Sequence, residues 1–453
     1  LRREDLPISS LEAQCEGTGP EEEKSVLPLI RSFVTRARKS LLVQNASWLF
    51  AGQGLSFVVQ GFYFILLARL LGTTQYGLLA GAIALVTVVS QYSALGSGLL
   101  FLRYVSPDHS RFRMYWGNVL MSILLLGGLL AVALRLSGHW FLGAASVPLL
   151  LPIAIGDCLF QQFSTCAGQV FQTFEKMKFS TALILLGSIF RCALALGMLL
   201  VLHRASAWQW AIGSMAVSSL SAGIAFATVT RFFGLPSFSP SLFVRRSAEG
   251  FVFALSGSTT AVYNDIDKVV LSRFGMVQAN GIYSMAYRVV NIGTMPIMSI
   301  VSAAFPSFFR AGVNGIAATV PMARQLLRRT VVLGIVISAG MFLCAPVIPH
   351  LVGKSYAESI SALRWLCLIP FFRCFHLSAG DAIAGAGQQK FRLVSQSTAA
   401  VGNLLVNLYL VPRYSWHGAA WASLGTDGAL GVMNWLALFY LSRRPRRVGV
   451  TAG

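Results

Sequence analysis

Residues 67–77 read LARLLGTTQYG, and residues 271–281 read LSRFGMVQANG. In both, an apolar run closes on an Arg, another opens on a Gly, and the spacing between them is the same: Arg69 and Gly77 are mirrored by Arg273 and Gly281. A second pair lies at nearly the same offset, EKMKF at 175–179 and GQQKF at 387–391. The pattern predicts a duplicated chain with six helices in each copy. Six is even, so both copies enter a membrane in the same direction. The repeat is then parallel, related by an axis along the membrane normal, and the crevice between the copies is the default substrate path.

That these helices lie in a membrane follows from composition. With 55% hydrophobic and only 11% charged residues, and a mean hydropathy of +0.66, the chain carries more apolar surface than a soluble fold of its length buries. A spanning helix needs about 20 mostly apolar residues. Twelve such segments are expected, at 44–68, 77–102, 115–136, 146–170, 179–202, 208–230, 248–272, 280–304, 330–352, 360–385, 392–412 and 417–441. The expected fold is thus an all-α polytopic membrane protein, two six-helix repeats around a central cleft.

The net charge of +20 would suit a nucleic-acid binder if it formed one patch, but it alternates between loops. Assigned to the two faces, 22 Lys and Arg fall on the side of both termini and 7 on the other. The positive-inside bias therefore puts both termini in the cytoplasm. Residues 1–40, with the GluGluGlu run at 21–23 and a basic, partly amphipathic stretch from Val26 to Lys39, are expected to be a disordered or interfacial arm and not a signal peptide. The first half is placed at 41–232 and the second at 248–442. A cytoplasmic linker with two prolines joins them at 233–247, and a basic tail comes after them at 443–453.

No nucleophile elbow, Walker loop, nucleotide fingerprint or metal-ligand cluster is present, and the seven Cys have no paired spacing. They read as small apolar packing residues. The chain is expected not to be an enzyme and to need no cofactor. Its short external loops argue against a membrane-embedded glycan polymerase or ligase, which needs acceptor-binding surface outside the bilayer.

Four stretches carry a family resemblance: ARLLGTTQYG at 68–77, ALGSGLLFLRYVS at 94–106, Asn264 through DIDKVVLSRFG and GIYSMAYRVV to Val290, and GAGQQKFRLVSQSTAAVGNLLVNLYLVPRYSWHGAAWAS at 385–423. In order and spacing they resemble the O-antigen and polysaccharide repeat-unit flippases of the multidrug, oligosaccharidyl-lipid and polysaccharide exporter superfamily, over nearly all of 41–441. Pro296 and Pro306 are similar to that family's kinked eighth helix, and the chain has no room for the two further helices of the peptidoglycan-precursor flippases. The resemblance implies alternating-access transport of an undecaprenyl-pyrophosphate-linked glycan for capsule, O-antigen or exopolysaccharide synthesis, with polymerase or export machinery as possible partners and H+ or Na+ as a possible coupling ion. The alternative is a multidrug-type, cation-coupled antiporter of the same superfamily.

A charge at the bilayer centre costs about 2.5–3.5 kcal/mol on insertion scales, so each should face a cavity or a partner. The cations are Arg191, Arg288 and Arg373, with Lys268 and Arg69 nearer helix ends. A pyrophosphate cargo explains them, since the planar Arg fork grips phosphate oxygens bidentately. Each could equally pair with a buried carboxylate or snorkel to the interface. Arg288, in the matched YSMAYR motif, is the leading candidate. The coupling-ion candidates are Asp157, Asp427, Asp265 and Asp381, alternatively salt-bridge partners of the arginines. Gln53 and Gln60 share a face of the first helix and either accept sugar hydroxyls or glue helices together. The absence of any Asp or Glu in that helix disfavours cationic cargo.

Overall fold

The computed structural model describes residues 41–443, excluding the side chains of residues 41–51, 53, 99 and 102. The expected N-terminal arm 1–40 and all but the first residue of the basic tail lie outside the described residues. All regular structure among them is helical. Leu41–Ser90 is broken at Gly72, whose φ of 66° is open to glycine, into α1 (41–71) and α2 (73–90). After a break that includes Leu95 and Gly96, both at positive φ, α2 resumes as Ser97–Val105. Next in the chain are α3 (His109–Phe141), α4 (Val147–Thr173), α5 (Met177–Leu202), α6 (Ala207–Phe233), α7 (Pro240–Arg273) and α8 (Val277–Gly312). The remaining rods are α9 (Ile316–Val352), α10 (Ser359–Gly385), α11 (Gln389–Tyr414) and α12 (Trp416–Ser442).

Among the described residues, eight stretches are long and apolar enough to cross a membrane by length and composition, the first running through α1 and α2. Helices α7, α11 and α12 are just as long but carry Asp267, Asn403 and Asp427, which are buried between helices. Leu129, Leu136, Val201 and Leu343 are each more than 60% exposed, an exterior only lipid can solvate. The non-helical linker is shorter than the expected 233–247. It covers 234–239, because Pro240 opens α7 from its first turn, where a missing N–H costs nothing.

The repeated motif is the point where the two halves lock. A Cβ on Gly77 would lie 1.8 Å from the carbonyl oxygen of Val277, and one on Gly281 would lie 2.0 Å from that of Thr73. Each glycine thus receives the other copy's backbone, reciprocally, and no larger residue fits. Asn280 seals the crossing by donating to the carbonyls of Gly77 and Lys268, both at 3.0 Å. Close by, the Gly143 N–H donates to the Ser272 carbonyl at 3.0 Å.

Among the described residues, three apolar cores are distributed unequally about this lock. One, with Leu67, Trp210, Tyr283 and Tyr356, draws on both halves at the Arg69 end. At the Arg103 end there are two, one around Phe101, Trp116 and Phe171 and the other around Ile297, Phe308 and Ile383. A shared core at one end and divided cores at the other describe halves that part toward the Arg103 end. Helix α7 bridges them there: Leu242 joins the first-half core, and Gly250 packs on the Leu95 carbonyl, 2.1 Å from where its Cβ would stand.

Candidate functional site

Between the halves lie two adjoining cavities of about 220 and 210 Å³ that share Tyr63, Phe64, Leu79, Ile83 and Arg288. Arg288 projects from α8 across the seam, its guanidinium 4.1 Å from the ring centre of Phe64 on α1. Among the described residues it forms no ion pair and no hydrogen bond. A cation–π contact holds the guanidinium plane in place while leaving its N–H edge free.

The first cavity is completed by Asp157, Arg191, Ser188 and Ser218. Asp157 and Gln161 sit on a π-helical segment of α4, Ile155–Gln161, and such wide turns re-aim side chains at functional sites. Arg191 donates to Gln161 Oε1 at 2.7 Å and Ser218 Oγ at 3.5 Å. It acts electrostatically on Asp157, which makes no hydrogen bond among the described residues. The second cavity is lined by Asp265, Lys268, Tyr287 and Asn291. Here the cation is already answered: Lys268 Nζ is 2.7 Å from Asp265 and 3.5 Å from Asp267, and stacks 4.2 Å from the Tyr287 ring centre. Asp267 in turn accepts from the hydroxyls of Tyr283 and Ser423.

Behind this wall, Arg373 donates to Asn291, Asn264 and Tyr287 at 3.1–3.2 Å and lies 4.0 Å from Asp427. His376 Nε2 stands 3.2 Å from Asp427 Oδ1 without hydrogen-bond geometry, and neither atom has another hydrogen-bond partner among the described residues. Arg373 therefore sits one layer behind the cavity and positions Tyr287 and Asn291.

The structure brings together Arg288, Arg191, Lys268, Gln60, Asp157 and Asp265 on the cavity walls. It does not bring Arg69 there. Arg69 donates to the carbonyls of Leu351 (2.6 Å) and His350 (3.2 Å), tying α1 to the end of α9, because its place at the end of α1 is beyond the cavity. Asp381 is likewise elsewhere, 3.2 Å from Arg392 in the second half. The Gln53 side chain lies outside the described residues. Sequence reading missed Phe64, Tyr287, Asn291 and His376. The only signals were adjacency of Tyr287 to Arg288 and the one-turn spacing of Arg373 and His376. No three His, Cys, Asp or Glu side chains among the described residues group to hold a metal ion.

The fold has counterparts among known proteins. The fold matches an inward-facing multidrug resistance MATE family transporter of the MOP superfamily (TM-score 0.68, 15% identity, 85% of this chain and 96% of that one). It also matches an outward-facing MATE transporter (0.59, 16%, 88% and 97%) and the lipid II flippase MurJ in an inward closed conformation (0.64, 14%, 86% of each). No curated protein sequence matches. A sequence family described as polysaccharide biosynthesis protein matches residues 42–311. With more than half of its length matched, the chain belongs to the polysaccharide biosynthesis protein family, and its helices take the fold of MATE transporters and MurJ.

Proposed function

We propose that this protein is a flippase that carries polyprenyl-pyrophosphate-linked oligosaccharide repeat units across a bacterial cytoplasmic membrane by alternating access, for surface polysaccharide synthesis. In this reading twelve helices span the membrane, both termini are cytoplasmic, and the Arg103 end is the cytoplasmic mouth. The observation that carries the proposal is Arg288: a cation from one half, steadied by an aromatic ring from the other, facing the cavities and paired with no carboxylate among the described residues. Such a charge at membrane depth is costly until an anion answers it. A pyrophosphate does so bidentately, and Arg191 on the same wall adds a second donor. The prenyl tail stays in lipid, and rocking of the halves about the Gly77–Gly281 contact exposes the head group on the far side.

The test is complementation of a bacterium lacking its own repeat-unit flippase, with wild type, Arg288→Ala and Arg288→Lys at matched membrane levels. Wild type should restore surface polysaccharide, Arg288→Ala should abolish it, and Arg288→Lys should retain a fraction, since Lys keeps the charge but not the fork. Full function of Arg288→Ala would sink the assignment. One observation favours the antiporter reading: Asp157 faces the first cavity without a hydrogen bond among the described residues. Drug resistance conferred on the same strain and lost on Asp157→Asn would replace the flippase with an antiporter.

A further inference from the structure

We infer that a separate chamber inside the first half, bounded by α1, α4 and α5 and adjoining the Arg288 cavity, is the binding site for the uncharged, hydroxyl-rich sugar rings of the cargo and sets glycan preference. This rests on the flippase reading and extends it to a part of the molecule away from the inter-half seam.

The chamber has a volume of about 280 Å³ and is lined by Gln60, Gln161, Gln169, Gln172 and Ser188. Gln161, Gln169 and Gln172 come from α4 at spacings that place them along one helical face running toward the Arg103 end. The chamber meets the first inter-half cavity through Gln60, Ser188 and Arg191, which line both. A head group whose phosphates sit between Arg288 and Arg191 would therefore direct its sugar into the chamber.

The chemistry of the wall selects the ligand. A carboxamide presents donor and acceptor side by side, as a pair of sugar hydroxyls does. The chamber contains no carboxylate and only one cation, Arg191 at its mouth, among the described residues, so it has nothing to hold a cationic drug. No aromatic ring among them lines it, so recognition proceeds by hydrogen bonds to ring edges and not by stacking on faces. Helix packing accounts for part of this wall and not for all of it. Gln172 Nε2 donates to Ser180 Oγ at 3.2 Å, Gln60 Nε2 donates to Ser56 Oγ at 3.0 Å and Gln161 Oε1 accepts from Arg191, whereas the Gln169 carboxamide has no hydrogen bond among the described residues. The space it occupies exists because residue 98 is glycine: a Cβ there would stand 1.6 Å from Gln169 Oε1. Nor is the chamber backed by tight packing at Gly187, where an added Cβ meets nothing within 4 Å.

The experiment measures binding of two lipids to the purified full chain in nanodiscs: a polyprenyl pyrophosphate, and the same lipid carrying a neutral N-acetylated disaccharide. Wild type should bind the glycolipid about tenfold more tightly, the equivalent of one or two net hydrogen bonds. Gln169→Leu, and separately Gly187→Phe, which fills the chamber from its open wall, should erase that preference and leave binding of the sugar-free lipid within about twofold. Equal wild-type affinity for the two lipids would overturn the chamber assignment while leaving the flippase reading standing. So would a preference that survives in both variants. If wild type binds neither lipid, the pyrophosphate reading fails and the chamber proposal falls with it.

Discussion

Two sets of charges, the ion pairs of the second half and the group formed by Arg288 with the first half, are answered in opposite ways. In the second half each of these buried charges meets a counter-charge: Lys268 with Asp265 and Asp267, Arg373 with Asp427, Arg392 with Asp381. At the seam and in the first half, Arg288 rests on Phe64, Arg191 on Gln161, and Asp157 on nothing within hydrogen-bond reach among the described residues. Arg373–Asp427 and Arg392–Asp381 join helices, and in the proposed function the unpaired charges are the ones that meet cargo. Counting intramembrane charges does not separate these groups; asking which lack an internal partner does.

Substitutions ranked by their effect on stability put this contrast at risk. Asp267→Ala strips Lys268, Tyr283 and Ser423 of a shared acceptor and should cost about 3–5 kcal/mol, as for one member of a buried pair removed. Thermal unfolding measured by fluorescence-detected gel filtration would reveal it as loss of monodisperse protein. Gly281→Val drives a side chain into the Thr73 carbonyl and should cost about 1–3 kcal/mol. It should also stop the Arg69 end from closing, read as increased thiol labelling of a Cys placed at Thr74. Arg69→Ala loses two exposed hydrogen bonds to α9, for about 1 kcal/mol. Last in stability comes Arg288→Ala, within about 0.5 kcal/mol of wild type, because it breaks no internal bond among the described residues, yet transport should vanish. A large stability loss for Arg288→Ala paired with a negligible one for Asp267→Ala would reverse the distinction.

The helices were legible because hydropathy reports lipid exposure directly: α1 and α4–α6 begin and end within a few residues of the expected segments. The duplicated Arg-to-Gly motif was legible as a repeat. That its two glycines touch each other was not, since contact between residues 77 and 281 depends on how the halves dock. Arg288, Arg191 and Arg69 were candidates of the same kind in the sequence; the first two line the cavities and Arg69 does not. An Arg one turn from a helix end is equally able to reach a cavity or a neighbouring carbonyl, and only the position of the end of α9 decides. The π segment that presents Asp157 leaves no mark in residue type.

Read alone, the chain's residues were enough to establish the class of environment, the all-helical fold and the duplicated motif, because each depends on local apolar periodicity and composition. Packing of the helices decided which charges are spent on one another, which glycines bear the halves' contact, and that the α4 glutamines face a chamber. Those outcomes are set by distances between helices far apart in the chain, and no local pattern encodes a distance.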